Sequence, residues 1–226
     1  MEKKVSCIIS AYNEGKNIGS VLKVVVNHPS IDEVIVINDG STDNTIDKIK
    51  KYKTIKIINY KKNRGKSYAI MKGIEKAKGD LLMFIDADLI GLNKNNLTQL
   101  LQPITKNEAD VSISLFKNSA PLYRLLGIDF ISGLRVIKKD LVKDYQKLAK
   151  MSGYAIECSY FNPAIINNKA RLKIVRWDNV ENKYHTEKLG FFKGMISVAK
   201  LSWVVIKQMK FFGIIYQIIK MKELEV

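Results

Sequence analysis

Five apolar residues in a row, Leu81-Leu82-Met83-Phe84-Ile85, follow Gly79-Asp80 and end in Asp86-Ala87-Asp88. An uninterrupted apolar run of this length reads as a strand buried on both faces, the environment of a parallel sheet covered by helices. Carboxylates at i and i+2 on extended backbone point to the same side. Like charges that close repel unless a cation lies between them. Hard oxygen ligands at the C-terminal edge of a strand suit Mg²⁺ or Mn²⁺, which commonly carries a diphosphate. Open α/β sheets bind their ligands beyond the carboxyl ends of the strands. Alone, the tripeptide is better read as a strand cap that opens a turn. Its surroundings favour a metal–diphosphate site.

Around this run the first half of the chain alternates strand and helix patterns. Strands are expected at Val5–Ser10, Glu33–Asn38 and Ile55–Asn59, with a fourth ending at Asp86. An amphipathic helix is expected from Asn17 to Asn27. Ser41-Thr42-Asp43-Asn44-Thr45 supplies capping oxygens for a second helix reaching about Lys51. A third runs from Lys66 to Ala77, with Ala69, Ile70, Gly73, Ile74 and Ala77 on one face. This order predicts an α/β fold, a Rossmann-like, mostly parallel sheet flanked by helices with right-handed crossovers.

The second half is less regular. Asn95–Leu101 reads as a helix, Ala109–Ser114 as a strand, and Asn118–Gly133 as loop and short helix. Lys138–Lys150 reads as helical, as does Ser152 to about Asn162, with Pro163 ending or kinking that helix. Arg171–Val175 is a strand candidate. From about Gly190 to Lys222 the pattern is a C-terminal amphipathic helix. Lys193, Lys200 and Lys207 fall at seven-residue spacing near one face, with aromatic and aliphatic bulk elsewhere. Such a helix can rest in a membrane interface, pack on the sheet, or join a second subunit in a homodimer.

With 226 residues, the chain fits one domain with a small appendage. Lys+Arg 38 against Asp+Glu 22 gives a net charge of +16, which calls for an anionic partner such as a nucleotide or an anionic lipid surface. The basic residues are dispersed and form none of the usual DNA- or RNA-binding motifs, so nucleic acid is not expected. Cys7 and Cys158 lie in apolar surroundings without metal-ligand spacing and read as reduced core residues. Met1-Glu2-Lys3-Lys4 runs directly into the first strand, so no signal peptide is expected. No stretch reaches the ~18 apolar residues of a membrane span. Location is therefore expected in the cytoplasm, with peripheral contact on the cytoplasmic face of the membrane.

Four segments fall at the expected C-terminal ends of consecutive strands. They are Ser10-Ala11-Tyr12-Asn13-Glu14, Asn38-Asp39-Gly40-Ser41-Thr42-Asp43, Asn63-Arg64-Gly65-Lys66 and Asp86-Ala87-Asp88. Ser10, Tyr12 and Glu14, with Asp39, suit a base edge and ribose, since a buried carboxylate is a strong acceptor. Arg64 and Lys66 flank a glycine where a diphosphate would meet a helix N-terminus. Asp86 and Asp88 suit ribose and metal.

In this order and register, the segments resemble family-2 glycosyltransferases of the GT-A type over about residues 4–115. The resemblance implies a nucleotide-diphosphate-sugar donor, a UDP- or GDP-sugar. It implies base contact at Asp39, ribose or metal contact at Asp86, and Mg²⁺ or Mn²⁺ at Asp88. Residues 1–115 would form the nucleotide-sugar-binding half, 116–189 the acceptor-binding half, and 190–226 the C-terminal helix.

The acceptor half matches more loosely. Ser132-Gly133-Leu134-Arg135 resembles a loop whose glycine lets substrate approach, and Gly153-Tyr154-Ala155-Ile156-Glu157 a stretch with a carboxylate near the reacting centre. Glu157 among apolar neighbours would have a raised pKa, as suits a general base, and joins Asp86 and Asp88 as a candidate catalytic residue. His185 corresponds to a late histidine that serves some relatives as an extra metal ligand. His28, beside Pro29, is not expected to take part. The Gln-x-x-Arg-Trp signature of processive synthases is missing, which argues against processive synthesis. The resemblance extends to polyprenyl-phosphate sugar transferases and so favours a lipid-phosphate acceptor with inversion at the anomeric carbon. A soluble, retaining enzyme resembling glucosyl-3-phosphoglycerate synthase, with a small phosphorylated acceptor, is the alternative. A catalytically silent nucleotide-binding subunit is another.

Overall fold

The structure, a computed structural model, describes residues 3–151, 156–182 and 212–226. Its first half follows the βα alternation: β1 (Val5–Ala11), α1 (Ile18–Val25), β2 (Glu33–Asp39), α2 (Thr45–Lys50), β3 (Lys56–Tyr60), α3 (Lys66–Lys76) and β4 (Leu81–Phe84). A short β5 (Leu89–Ile90) follows, then α4 (Lys94–Thr105), β6 (Val111–Phe116), α5 (Pro121–Leu126), β7 (Arg135–Lys138), α6 (Asn162–Asn167), β8 (Leu172–Trp177) and β9 (Glu181–Asn182).

Seven strands form the main sheet in the order β3-β2-β1-β4-β7-β6-β8, while β5 and β9 pair separately. The first four are mutually parallel, so their C-terminal ends open onto one edge. β7 runs antiparallel to both neighbours, opposing Phe84 with Arg135 and Leu82 with Ile137. The sheet is thus mostly parallel, as the sequence pattern required.

Alternation along the buried strands divides the core between the two faces. Cys7, Ile9, Val34, Val36, Leu81 and Met83 pack on one side with α1 and with Leu97, Leu100 and Ile104 of α4. Ile8, Ile35, Ile37, Leu82 and Phe84 pack on the other with Ala69, Ile70 and Ile74 of α3. The two-residue period of strands and the 3.6-residue period of helices meet at these faces. A Cβ added to Gly73 would lie 2.4 Å from Ile8 Cγ2 and 3.1 Å from Ile37 Cδ1, so α3 sits against the sheet at that residue.

Three expectations need correction. The fourth strand stops at Phe84; Ile85 N–H still reaches Ile8 O at 3.2 Å, and Ala87 and Asp88 are already in a turn. Both acidic residues therefore lie beyond the end of the strand, Asp88 within the turn. Lys138–Lys150 is not a helix. It starts with the last residue of β7 and continues as 3-10 turns at Lys139–Leu141 and Tyr145–Lys150. Only Val142 and Leu148 of that stretch are buried hydrophobics, too narrow an apolar face for a long helix. Pro163 does not end its helix. A π-helical turn over Glu157–Phe161 passes directly into α6, with Pro163 in the first turn of α6. Proline lacks the N–H that would continue this ladder, and the wider turn is where the chain accommodates it.

Of the expected terminal helix, residues 212–223 are helical and 190–211 lie outside the described residues. Met221 is fully buried, and Ile214 and Ile218 pack on the second core. The segment ends beside β8: Leu172 N donates to Leu224 O, and Val226 N to Leu172 O.

Replacing Gly73 by valine forces three extra carbons between α3 and the sheet. The expected cost is about 1–3 kcal/mol, read as a lower urea midpoint with an unchanged m-value.

Candidate active site

The loops after β1 and β2 are tied together by polar contacts. Asn13 N donates to Ser41 Oγ at 2.9 Å and Asn13 Oδ1 accepts from Thr42 N at 2.8 Å. Glu14 N reaches Thr45 Oγ1 at 2.8 Å, and Gly15 N reaches Asp43 Oδ2 at 3.0 Å. Asn13 holds a left-handed φ of 56°, which the short polar side chain of asparagine tolerates. The Glu14 carboxylate accepts from Asn17 Nδ2 at 2.7 Å. Ser10 ends half-buried, and Tyr12 presents its ring to solvent with 48% of its surface exposed.

Asp39 closes the next junction. Its side chain is buried, and its two oxygens accept from Arg64 N and Gly65 N, each at 2.8 Å. Hydrogen bonds to an ionised carboxylate are among the stronger ones in proteins. Asp39 therefore ties the end of β2 to the loop that starts α3, whatever else it contacts. Gly40, with φ of 73°, allows the Lys62-Asn63 backbone to approach so closely that a Cβ would lie 2.4 Å from it. The Arg64 guanidinium lies over the Tyr68 ring at 4.7 Å and the Tyr60 ring at 5.8 Å, and donates to Tyr68 Oη. It extends along the outer edge of the sheet.

Lys66, the first residue of α3, turns inward. Its Nζ lies 3.0 Å from Asp86 Oδ1 and 3.8 Å from Glu157 Oε1. Burial by itself would lower the lysine pKa; Asp86 and Glu157 outweigh it and hold the ammonium above its usual range. Burial pushes Glu157 up, against the opposing pull of Lys66 and Arg135. A Cβ on Gly133 would stand 2.9 Å from Lys66 Nζ and 3.3 Å from Glu157 Oε1, so Gly133 lies against this cluster and a side chain there would displace the lysine head.

Behind it lies Arg135, fully buried, its guanidinium 4.8 Å from the centre of the Phe161 ring. One amino group donates to Ser132 O, while Nε and Nη1 have no hydrogen-bond partner. Burial draws its pKa down, and Glu157, Asp129 and Asp86 counter that from their side. Asp129 in turn is raised by burial and accepts from Ser119 Oγ at 2.8 Å.

The fold thus brings Lys66, Asp86 and Glu157 into one cluster and sets Ser10, Tyr12, Glu14, Asp39 and Arg64 along the same sheet edge. Asp88 follows two residues after Asp86, and His185 lies outside the described residues. Arg135 and Asp129 were not anticipated as site residues. The signal was available, since an arginine inside the apolar run Leu134-Arg135-Val136-Ile137 is out of place in a buried strand unless a countercharge meets it.

Among the described residues, no group of three or more His, Cys, Asp or Glu side chains could enclose a metal. The residues present nevertheless fit a cation shared with a substrate. Mg²⁺ typically takes one or two carboxylates and completes its shell with phosphate oxygens and water.

Residues 6–121 match the family model described as glycosyl transferase family 2. The chain belongs to that family. It is 28% identical over 165 residues to a dolichyl-phosphate beta-glucosyltransferase of Trichomonas vaginalis, covering 62% of this chain and 48% of the relative. It is 23% identical over 175 residues to a dodecaprenyl-phosphate galacturonate synthase of Rhizobium johnstonii, covering 66% and 52%. A poly-beta-1,6-N-acetyl-D-glucosamine synthase of Staphylococcus epidermidis is 36% identical over 91 residues, 38% of this chain and 22% of that one. The chain thus spans about half or less of these relatives. Among solved structures, glucosyl-3-phosphoglycerate synthase of Mycobacterium tuberculosis, in complex with Mn²⁺, UDP and glucosyl-3-phosphoglycerate, superposes with a TM-score of 0.68. That match has 20% identity and covers 88% of this chain and 79% of that one. At that identity the likeness establishes a shared fold.

For Glu157 the pH sign follows from its raised pKa. The folded state holds this proton more tightly than the unfolded chain. The stabilising contribution is therefore complete below the ordinary glutamate value and is lost as pH rises through the raised folded value. Glu157→Gln removes that dependence. The stability of the variant relative to the native chain is expected to climb from pH 4 to pH 7, as measured by urea unfolding. A constant difference would contradict a raised pKa.

Proposed function

We propose that this chain transfers a sugar from a nucleoside-diphosphate donor to a phosphorylated acceptor, with polyprenyl phosphate the favoured acceptor. The observation that carries the reading is the shared edge of four parallel strands, where Asp39, Arg64, Lys66, Asp86 and Asp88 follow β1's loop in register. On this reading, Ser10, Tyr12 and Glu14 line the base and ribose, with Tyr12's exposed ring free to stack. Asp39 serves the base end while anchoring the phosphate loop through Arg64 N and Gly65 N. Arg64 and the open N-terminus of α3 meet the diphosphate, where backbone N–H groups and the helix dipole favour negative charge.

On this reading Asp88 is the metal ligand, with His185 as the added ligand, while Asp86 keeps its contact with Lys66. A bound Mg²⁺ or Mn²⁺ would neutralise charge on the departing nucleoside diphosphate. Lys66 bridges Asp86 and Glu157, and Asp86 holds the ribose side of the donor. Glu157 takes the acceptor side: it accepts a proton from a hydroxyl acceptor, or positions a phosphate acceptor that is already ionised. Attack by the acceptor oxygen in line with the leaving group inverts the anomeric carbon.

Residues 1–115 supply the donor half and 116–189 the acceptor half. The polyprenyl-phosphate relatives support the acceptor. The C-terminal helix would bring the chain to an anionic membrane surface, which attracts a net charge of +16. No helix among the described residues is long and apolar enough to cross a membrane. A small phosphorylated acceptor is the second reading. It is favoured by the fold shared with an enzyme whose structures hold UDP-glucose and phosphoglyceric acid. Product configuration by NMR separates the two, because the second reading retains configuration at the anomeric carbon.

Release of nucleoside diphosphate from UDP- and GDP-sugars, with Mn²⁺ and polyprenyl phosphate, tests the proposal. The native chain is expected to turn over one donor, and Asp88→Asn to lose at least ~100-fold, the scale of removing one preorganised electrostatic contact to a departing charge. No turnover of any donor would favour a silent nucleotide-binding subunit. Equal turnover by Asp88→Asn would remove the metal assignment.

A further inference from the structure

Beside the charged cluster lies an uncharged network that reaches the C-terminal helix. In the π-helical turn, Asn162 N donates to Glu157 O, five residues back. In that register the next carbonyl, Cys158 O, is due a donor from position 163, which is a proline and has no N–H. Gln217 fills the gap: its Nε2 donates to Cys158 O at 2.7 Å. Its Oε1 accepts from Asn162 Nδ2 at 3.2 Å, and the same Nδ2 donates to Phe130 O at 2.8 Å. Gln217 is buried, although Phe212, Ile215, Tyr216 and Ile219 on the same helix are exposed. A long polar side chain is kept from water only where its partners are fixed.

Two side-chain amides therefore clamp the backbone at two places. One is Cys158, adjacent to Glu157. The other is Phe130, in the loop that continues to Gly133 and Arg135. We infer that Gln217 is a positioning residue for the acceptor side, holding the Glu157 segment and the 130–135 loop in register through Cys158 O and Asn162. The C-terminal helix is then part of the site's scaffold. The assignment of Glu157 to the acceptor rests on the transferase reading; the clamp itself does not.

The Cys158 thiol is a built-in reporter. It is buried, with its pKa pushed up to about 12 by desolvation, and the carbonyl in question belongs to the same residue. Cys7, buried in β1, is the internal control. The experiment is iodoacetamide labelling of the full chain, resolved by peptide mass spectrometry. Gln217→Met is expected to raise the Cys158 rate at least tenfold while Cys7 stays within twofold. Adding Pro163→Ala supplies a main-chain N–H for Cys158 O and should return the rate to within threefold of native. Labelling of both cysteines together, an unchanged Cys158 rate, or no rescue by Pro163→Ala would each overturn the proposal. In the donor-release assay, Gln217→Met should lower kcat at least tenfold with donor KM unchanged. If the labelling pattern holds but the native chain turns over no donor, the clamp stands and the transferase reading fails.

Discussion

The Lys66 ammonium, shared between Asp86 and Glu157, joins segments that are far apart in sequence. Lys66 starts α3, Asp86 leaves β4, and Glu157 opens the π-helical turn. Carboxylates brought together with little exposure to water repel unless a cation compensates them. Gly133 packs against the lysine head, where a side chain would push it aside. Arg135, buried against Phe161, adds a second positive charge behind Glu157. The N-terminal and C-terminal halves of the chain thus share one electrostatic centre, and the segments that carry it must be held closely in register.

Two kinds of restraint provide that register. Around β1, β2 and the start of α3 they are hydrogen bonds from backbone N–H groups to side-chain oxygens: Arg64 and Gly65 to Asp39, Gly15 to Asp43, and Asn13 to Ser41. These use turn residues to make the loops rigid without consuming every polar group they present. Around Glu157 the restraint comes from buried amides and from a π-turn that accommodates Pro163. π-Turns are often found at functional sites, and here the turn sets both the placement of Glu157 and the freed carbonyl that the C-terminal helix engages.

The N-terminal half was legible in the sequence because its signals are local. Apolar runs of strand length, Ser/Thr/Asp/Asn clusters after them and a glycine between Arg64 and Lys66 each report on a few neighbouring residues. β1 to β4 and α1 to α3 accordingly fall close to their expected spans. The C-terminal half depends on partners distant in sequence. Val136 and Ile137 become a strand because β4 and β6 flank them, and no local period announces that. The direction of Lys66 was also hidden: close to Arg64 it looks like a second phosphate ligand, and its contacts with Asp86 and, some ninety residues later, Glu157 turn it inward. Gln217 was invisible for the same reason. Its role follows from a missing N–H at position 163, which matters only once the π-turn is known.

The central claim is that the shared edge of β1 to β4 forms one nucleoside-diphosphate site that uses a divalent cation. Calorimetric titration of the native chain with UDP and with GDP, each with and without Mn²⁺, tests it most directly. Binding of one nucleotide that strengthens at least tenfold with Mn²⁺ is the predicted result. Failure to bind either nucleotide in the presence of the metal would contradict it, and would leave the acidic strand ends as structural caps.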